Sequence, residues 1–420
     1  MNRIVTYAQT CALVAVLFCV PHALAMKQPR TLPIEINPEA KNISKNILVG
    51  PVIVVREGRN GDSIGSSVLL NNELLAMAFN KKIKVWDLIT GEKKYSLNHG
   101  DWICHNDSSP SKLADGSLVS IDNSTIKVWD LKNNSCKNEI RAVRYYPETI
   151  FDVLGVNENT IISSLDTSPP VIKIWDLGIK EGTPIKILNG HNKCISDLLK
   201  ITDKYIASAS YDKTVKVWSL GTGECILNLL GHEHEVVKLV KISDTCIASG
   251  DSNGNVKIWN LYTGKCKQIL VGEKVWITHL IIASNRIIVG YLGGDMQIFD
   301  LSTGKLFMDL VGHTKTINDL IVVNDKTLIS CSDDETIKIW DLNKGIWVQS
   351  INCGVCVRNI FMSMIQKVST LVSVTRFGAI ITCSCHIDAK DLKYFYKNLH
   401  EIIPGKKKNP HFEDLGINFN

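Results

Sequence analysis

The chain has 420 residues, of which 45% are hydrophobic, so it is long enough and apolar enough to bury a large core. Its 47 basic and 42 acidic residues leave a formal net charge of only +5, and the one short basic run, Lys406–Lys408, lies near the C-terminus. Because no sizeable basic block stands out, the sequence argues against nucleic-acid binding and against attraction to an anionic membrane.

The first 25 residues have the layout of a secretory signal peptide. Arg3 supplies a positive start, residues 10–20 are nearly all apolar, and Ala23–Ala25 place small residues where a signal peptidase cleaves. The apolar run is short for a membrane-spanning helix. We therefore expect cleavage after Ala25, export to the periplasm or the cell exterior, and no membrane span in the mature chain; an uncleaved anchor is the alternative. Residues 26–45 are expected to form a linker.

One short phrase, an apolar alternation ending in an aromatic residue, a polar residue and Leu, then recurs along the chain. The steps between its aromatic positions are 43, 46, 43, 41, 40 and 41 residues, a period typical of repeat folds. Around each copy, short β-rich runs alternate with polar and glycine turns, which predicts four strands per repeat and an all-β fold. The aromatic positions are Trp86, Trp129, Trp175, Trp218, Trp259, Phe299 and Trp340.

The repeats resemble those of the WD40 family over roughly residues 47–390. Three of them open on Gly-His, and each His is followed by a Ser after 17 residues, an Asp or Asn after 21 and the Trp after 27. The resemblance implies that each set forms a buried hydrogen-bonded tetrad with a structural role. The three sets are His191, Ser208, Asp212 and Trp218; His232, Ser249, Asn253 and Trp259; and His313, Ser330, Asp334 and Trp340.

Ser, His and Asp could also form a catalytic triad. Here the set recurs in three repeats, whereas catalysis needs one copy, so we expect no catalytic residue. Other repeats depart from the pattern: Gly272-Glu273 replaces Gly-His before Phe299, and Ala76 stands where Ser is expected before Trp86.

The resemblance also implies that the repeats form the four-stranded blades of a WD40-type β-propeller. Seven blades is the common form, and seven aromatic landmarks fit it. Three more strands follow Trp340, however, and one spare strand, residues 47–55, precedes the first repeat. Pairing the early strand with the late three would close the ring and hide its edges. We therefore favour eight blades over seven, with the propeller at residues 46–390 and a C-terminal tail at 391–420.

The cysteines give no clear cofactor signal. Cys353 and Cys356 have the spacing of a redox motif, and with Cys383, Cys385 and His386 they could form a zinc site. The repeat register places Cys353 and Cys383 on opposite faces of a propeller, which argues against zinc. We expect no metal and no cofactor, and the sequence leaves open whether Cys353 and Cys356 form a disulfide.

WD40 propellers usually bind partners on the face where the fourth strand of one repeat leads into the first strand of the next. Two tryptophans occur near this face in the related phrases Trp-Ile-Cys-His and Trp-Ile-Thr-His, outside the core position. Exposed Trp is often an interface anchor, although these could instead pack under neighbouring loops. The candidate partner-binding residues are Trp102, His105, Tyr211, Glu235, Trp276, His279 and Arg358.

Together these features predict a non-enzymatic WD40 repeat scaffold that binds a protein or peptide through one face, either as a monomer or as part of a larger assembly. One alternative is an exported propeller that binds glycans or envelope components. A propeller hydrolase or lyase is a further alternative, but it should show carboxylates or histidines that converge once on the channel.

Overall fold

The computed structural model of the protein describes residues 32–37, 49–56, 64–100, 103, 111–143, 148–179, 183–365 and 368–385. These ranges contain strands and turns but no helix, and hence none that could cross a membrane. The predicted signal peptide, Trp102, His105 and the predicted C-terminal tail lie outside the described residues.

The strands form eight sheets, and neighbouring strands pair antiparallel within each. Two strands precede the first full sheet: β1 (Ile34–Ile36) and β2 (Val49–Arg56). Blade 1 holds β3 (Ile64–Leu69), β4 (Leu74–Phe79), β5 (Lys82–Asp87) and β6 (Lys93–Asn98); blade 2 holds β7 (Ser111–Lys112), β8 (Leu118–Ile121), β9 (Thr125–Asp130) and β10 (Ser135–Arg141). Blade 3 holds β11 (Thr149–Gly155), β12 (Thr160–Asp166), β13 (Val171–Asp176) and β14 (Lys186–Asn189); blade 4 holds β15 (Ile195–Lys200), β16 (Tyr205–Ser210), β17 (Val215–Ser219) and β18 (Cys225–Leu229).

The second half continues in the same order. Blade 5 holds β19 (Val236–Ser243), β20 (Cys246–Asp251), β21 (Val256–Asn260) and β22 (Lys265–Leu270); blade 6 holds β23 (Ile277–Ala283), β24 (Arg286–Tyr291), β25 (Met296–Asp300) and β26 (Leu306–Leu310). Blade 7 holds β27 (Ile317–Asn324), β28 (Thr327–Ser332), β29 (Thr336–Asp341) and β30 (Ile346–Asn352); blade 8 holds β31 (Val357–Ile365), β32 (Val368–Thr375) and β33 (Ile380–Cys385) together with β2.

The hydrophobic core is divided into layers between blades. Each of the eight apolar clusters combines side chains of two neighbouring blades, and the cluster of Ala207, Val217 and Trp259, for example, joins blade 4 to blade 5. The second strand of a blade is therefore buried on both sides, as in β16, where every residue after Tyr205 is buried. Small and β-branched side chains suit such a strand because neighbouring sheets approach both of its faces.

The ring closes between blade 8 and blade 1. Strand β2 pairs antiparallel with β33, so blade 8 combines the early strand with the three late ones. One apolar cluster joins Val372 and Val374 of blade 8 to Leu75 and Trp86 of blade 1. The prediction of eight four-stranded blades is confirmed.

Strand β1 differs from the sequence expectation, because it lies within the residues predicted as a linker. Ile34–Ile36 pair antiparallel with Gln349–Ile351 and add a fifth strand to the outer edge of blade 7. Asn37 holds its end, with Nδ2 donating to the carbonyl of Trp347 over 2.8 Å. A three-residue strand has no periodic pattern of its own, so only its long-range partner identifies it.

The cysteine geometry also differs from expectation. Cys353 and Cys383 lie in one buried cluster between blades 7 and 8, not on opposite faces. Cys353 and Cys356 are both free thiols, with the Sγ of Cys356 3.5 Å from the carbonyl of Asp333. Burial raises the pKa of Cys353 to about 12, so this thiol is a packing residue. Within the described ranges, no group of three or more His, Cys, Asp or Glu side chains is placed to hold a metal ion.

Candidate partner-binding face

The top face is defined here as the side of the disc on which the outer strand of each blade leads into the inner strand of the next. The turns between the second and third strands lie on the same side. In blade 4 the top face thus carries residues 190–194 and 211–214, on either side of β15 and β16. Its geometry depends on how these loops are tied to the blades.

Two of the expected tetrads tie the loops in the same way. In blade 4, His191 Nδ1 lies 2.8 Å from Asp212 Oδ2 and His191 Nε2 lies 2.7 Å from Ser208 Oγ. Trp218 Nε1 donates to the same Ser208 oxygen over 2.8 Å. In blade 7, all three corresponding distances are 2.7 Å, and the residues are His313, Asp334, Ser330 and Trp340.

The tetrad of blade 5 has a different acid from the one expected. His232 Nδ1 lies 2.9 Å from Asp251 Oδ2, while Ser249 and Trp259 occupy their expected places. Asn253 is not the partner of the histidine; its backbone N–H donates to Asp251 Oδ1 over 3.0 Å. The carboxylate comes from the end of β20, two residues before the turn position, and the turn residues fold back onto it.

A fourth tetrad, in blade 2, was not expected from the sequence. His99 Nδ1 lies 3.1 Å from Asp122 Oδ2, and Trp129 Nε1 donates to Ser120 Oγ over 2.8 Å. The histidine differs from those of the other tetrads, because its Nε2 lies 3.4 Å from the backbone carbonyl of Ser120 and does not contact the hydroxyl. The histidine precedes its glycine instead of following it, and Ser120 lies nine residues before Trp129 where the other blades have ten, so a fixed spacing misses the set. A buried acid at the end of the second strand, as in blade 5, is the signal that could have found it.

Blade 6 replaces the tetrad. Phe299 stands at the tryptophan position and has no side-chain N–H that needs an acceptor. Val289 can therefore stand at the serine position, and both side chains are buried. The Tyr291 hydroxyl donates to Gln297 Oε1 over 2.8 Å, and Gln297 Nε2 donates to Asp309 Oδ1 over 2.8 Å. Burial raises the pKa of Tyr291, which therefore stays a neutral donor in this polar network.

The carboxylates of the tetrads are held in their charged form. Burial pushes the pKa of Asp212 upward, but hydrogen bonds from His191 and Thr214 outweigh it and hold the pKa well below its ordinary value. The pKa of Asp334 is lowered in the same way by His313 and Thr336. Each of these two carboxylates accepts hydrogen bonds from the top-face loop of its own blade, from the backbone N–H of Asn192 or Thr314.

A cavity of about 560 Å³ opens at the centre of the top face. Blades 1, 5, 6, 7 and 8 line it, and it is referred to below as the channel-mouth cavity. Its polar and aromatic lining includes Lys238, Trp276, His279, Asn318, Arg358 and Arg376. Three of the predicted binding residues, Trp276, His279 and Arg358, therefore meet in one place.

Tyr211 and Glu235 lie beside this cavity and do not line it. The ring of Tyr211 packs edge-on against Trp276, with centroids 6.1 Å apart and planes at 85°. Trp276 nevertheless keeps 38% of its surface exposed, so it is both supported and accessible. Glu235 accepts a hydrogen bond from Ser252 Oγ over 3.0 Å and belongs to the rim of blade 5.

Sequence reasoning missed two cations of the cavity. Lys238 stands two residues after Val236, the same inner-strand position as His279 after Ile277, so extending the strand alignment by one blade would have found it. Arg376 follows β32 in blade 8, which carries no repeat motif to align.

Carboxylates at the inner-strand position join neighbouring blades. Asp197 Oδ2 of blade 4 accepts the backbone N–H of Leu239 in blade 5 over 2.7 Å. Asp319 Oδ2 of blade 7 accepts that of Ile360 in blade 8 over 3.0 Å. Burial raises the pKa of Asp197 to about 6, with Lys238 opposing the shift and Asp152 adding to it.

Three segments of the chain, residues 182–219, 223–260 and 304–341, match the family described as WD domain, G-beta repeat. Each match begins before the inner strand of one blade and ends on its third strand, so the sequence repeat is offset from the structural blade.

Parts of the chain are also similar to curated proteins. A nuclear distribution protein, nudF, of Aspergillus niger is 31% identical over 118 residues, which are 28% of this chain and 25% of the relative. The transcriptional corepressor LEUNIG_HOMOLOG of Arabidopsis thaliana is 26% identical over 168 residues, 38% of this chain and 19% of the relative. The chain thus spans a quarter or less of these relatives.

Two solved structures share the fold. The computationally designed Ika8 protein superposes with a TM-score of 0.66 at 23% identity, covering 78% of this chain and 98% of its own. Sqt1 of Saccharomyces cerevisiae superposes with a TM-score of 0.67 at 14% identity, covering 78% of this chain and 97% of its own.

Proposed function

We propose that this eight-bladed WD40 repeat propeller is a non-enzymatic scaffold that binds a protein or peptide partner on its top face. The observation that carries the proposal is the position of Trp276: it is 38% exposed, supported by Tyr211, and lies at the edge of the channel-mouth cavity. Tryptophan anchors in partly desolvated pockets dominate the binding energy of many protein interfaces.

The rigidity of the face supports the same proposal. Buried tetrads tie the loops of blades 2, 4, 5 and 7 to their strands, so the face needs little ordering when a partner binds. Preorganised surfaces lose less conformational entropy on association and bind more tightly for a given area.

The serines of the tetrads are poorly placed for catalysis. Ser208, Ser249 and Ser330 are each fully buried, and each oxygen is held between a histidine nitrogen and a tryptophan N–H. A nucleophile must reach its substrate, so these Ser, His and Asp sets serve the structure of the blades.

The proposal is tested by capturing partners on immobilised chain and identifying them by mass spectrometry. The double variant Trp276→Ala with Arg358→Ala should lose the partner while its melting temperature stays close to that of the parent. Tyr262→Ala is the matched aromatic control, since Tyr262 is 82% exposed on the opposite face. Equal capture by the parent and the double variant would refute binding at the cavity, and binding to a glycan array that depends on Trp276 would favour a sugar ligand instead.

Export is a second part of the proposal. It is supported by the order of Arg3, the apolar run at residues 10–20 and Ala23–Ala25. N-terminal sequencing of the chain recovered from the exported fraction should begin at Met26. Recovery of the chain only with its original N-terminus, or only inside the cell, would contradict export.

A further inference from the structure

We propose that the channel-mouth cavity binds the carboxylate of an aspartate or glutamate side chain presented by the protein partner. This inference rests on the proposed function and adds the chemistry of the recognised group. Three cationic side chains line the cavity, Lys238 from blade 5 and Arg358 and Arg376 from blade 8, and no carboxylate is among its lining residues. Such an excess of one charge in a recess favours a ligand of the opposite sign.

The two guanidinium groups are available for a ligand. Among the described residues, neither Arg358 nor Arg376 has a side-chain hydrogen bond or an ion pair, and the Nε of Arg358 is buried without a partner. A buried donor without an acceptor is unfavourable, and a guanidinium satisfies a carboxylate through two parallel hydrogen bonds. The unsatisfied Nε therefore points to an anionic acceptor that arrives with the ligand.

The nearby acids are already engaged by the protein. Asp319 accepts the backbone N–H of Ile360, and Asp333 Oδ1 accepts Asn318 Nδ2 over 2.8 Å. Each of these contacts joins or orders the inner strands, and neither acid is among the residues that line the cavity. A third acid, Asp197, interacts electrostatically with Lys238 of blade 5. The two arginines of blade 8 therefore supply the uncompensated positive charge at the channel mouth.

The shape of the site favours a peptide over a nucleic acid. The cations lie in one recess of about 560 Å³, whereas a nucleic acid needs a groove of cations that follows successive phosphates. Trp276 at the edge gives an apolar surface for the residue next to the acid, and Glu235 on the adjacent rim repels a polyanion. One acidic side chain beside an apolar residue fits both features.

Panning a random heptapeptide library on the full chain tests the inference. We expect Asp or Glu to be enriched at one position, and replacement of that acid by Asn or Gln in the selected peptide should weaken its Kd at least tenfold. Arg358→Met and Arg376→Met should each remove the enrichment, with unchanged melting temperatures. Lys204→Met is the matched control, because Lys204 is an exposed cation in a turn on the opposite face.

The inference would be overturned by selected peptides without an acid, or by acid enrichment that persists in both arginine variants. Tighter binding of a single-stranded RNA than of any peptide, lost in Arg358→Met, would overturn it as well. The same variants distinguish failure of the carboxylate site from failure of the proposed binding function of the top face. If the natural partner requires Trp276 but neither arginine, only the carboxylate site is wrong; if it requires none of the three, the top face is not the binding surface.

Discussion

In blades 4, 5 and 7, the serine oxygen at the centre of the tetrad joins the loop to the strand. In blade 4, Trp218 donates to Ser208 from the third strand, and His191 reaches the same oxygen from the top-face loop. Asp212 then holds the outer nitrogen of the histidine. Because the members of the blade 4 tetrad are each other's hydrogen-bond partners, removal of one member leaves the others unsatisfied, and the loss exceeds one hydrogen bond.

Asp251 and Asn253 provide a direct test of which residue completes the tetrad of blade 5. Asp251→Ala should destabilise the protein by about 2–4 kcal/mol, since it leaves buried His232 without its acceptor. Asn253→Ala should cost less than about 0.5 kcal/mol, because only its backbone N–H contacts the network. Urea unfolding followed by tryptophan fluorescence measures both variants. Equal destabilisation by the two would contradict the assignment.

Asp197 makes the stability of the propeller depend on pH. Its pKa of about 6 in the folded protein lies above the value of about 3.9 in an unfolded chain, so the folded state binds the proton more tightly. The free energy of unfolding therefore falls as the pH rises from about 4 to 6 and stays lower above that range.

Asp197→Asn keeps an oxygen to accept the Leu239 N–H and removes the charge. It should raise the unfolding free energy by about 3 kcal/mol at pH 7.5 and leave it nearly unchanged at pH 4. Asp203→Asn, at a side chain that is 71% exposed, is the control and should show no such difference. A gain of the same size at both pH values would mean that the charge of Asp197 is not the cause.

At the scale of strands, the sequence predicted the strands that belong to the repeats and missed strand β1, which belongs to no repeat. The strands around Trp218 follow from alternation and turn residues, and the count of eight blades follows from the extra strands at both ends. Strand β1 is missed because its partner lies about 310 residues away and its two isoleucines are largely exposed. At the candidate site, Trp276 could be predicted from its place in a repeat, whereas Arg376 lies in a blade without repeat motifs.

Strand β1 covers the outer edge of blade 7, and its removal tests that role. A chain that begins at residue 38 should still fold, because blade 7 keeps four strands of its own. Its melting temperature should fall by about 2–4 °C relative to a chain that begins at residue 26. Amide exchange should become faster across β30, where Asn352 N–H donates to the carbonyl of Pro33. Unchanged exchange in β30 would show that β1 does not protect this edge.

At the scale of the whole molecule, the ring makes every blade a neighbour of two others. Apolar layers lie between all adjacent pairs, including blades 8 and 1, so no blade has to end in a polar capping surface. Blade 8 is the exception in its covalent structure, because its outer strand comes from residues 49–56 and its other strands from 357–385. Closure of the disc therefore depends on noncovalent pairing between the two ends of the chain.

The pairing of β2 with β33 should control whether the disc is closed. A chain that begins at residue 57 lacks β2, leaves β33 as an unpaired edge and frees blade 8 to detach. Relative to the chain that begins at residue 38, we expect a melting temperature lower by on the order of 10 °C, from several lost strand hydrogen bonds. Small-angle X-ray scattering should show a larger radius of gyration. A separate peptide of residues 38–56 should restore both quantities, since closure needs the strand and not its covalent connection. If the shorter chain keeps the dimensions and melting temperature of the longer one, the apolar layer between blades 8 and 1 closes the ring without β2.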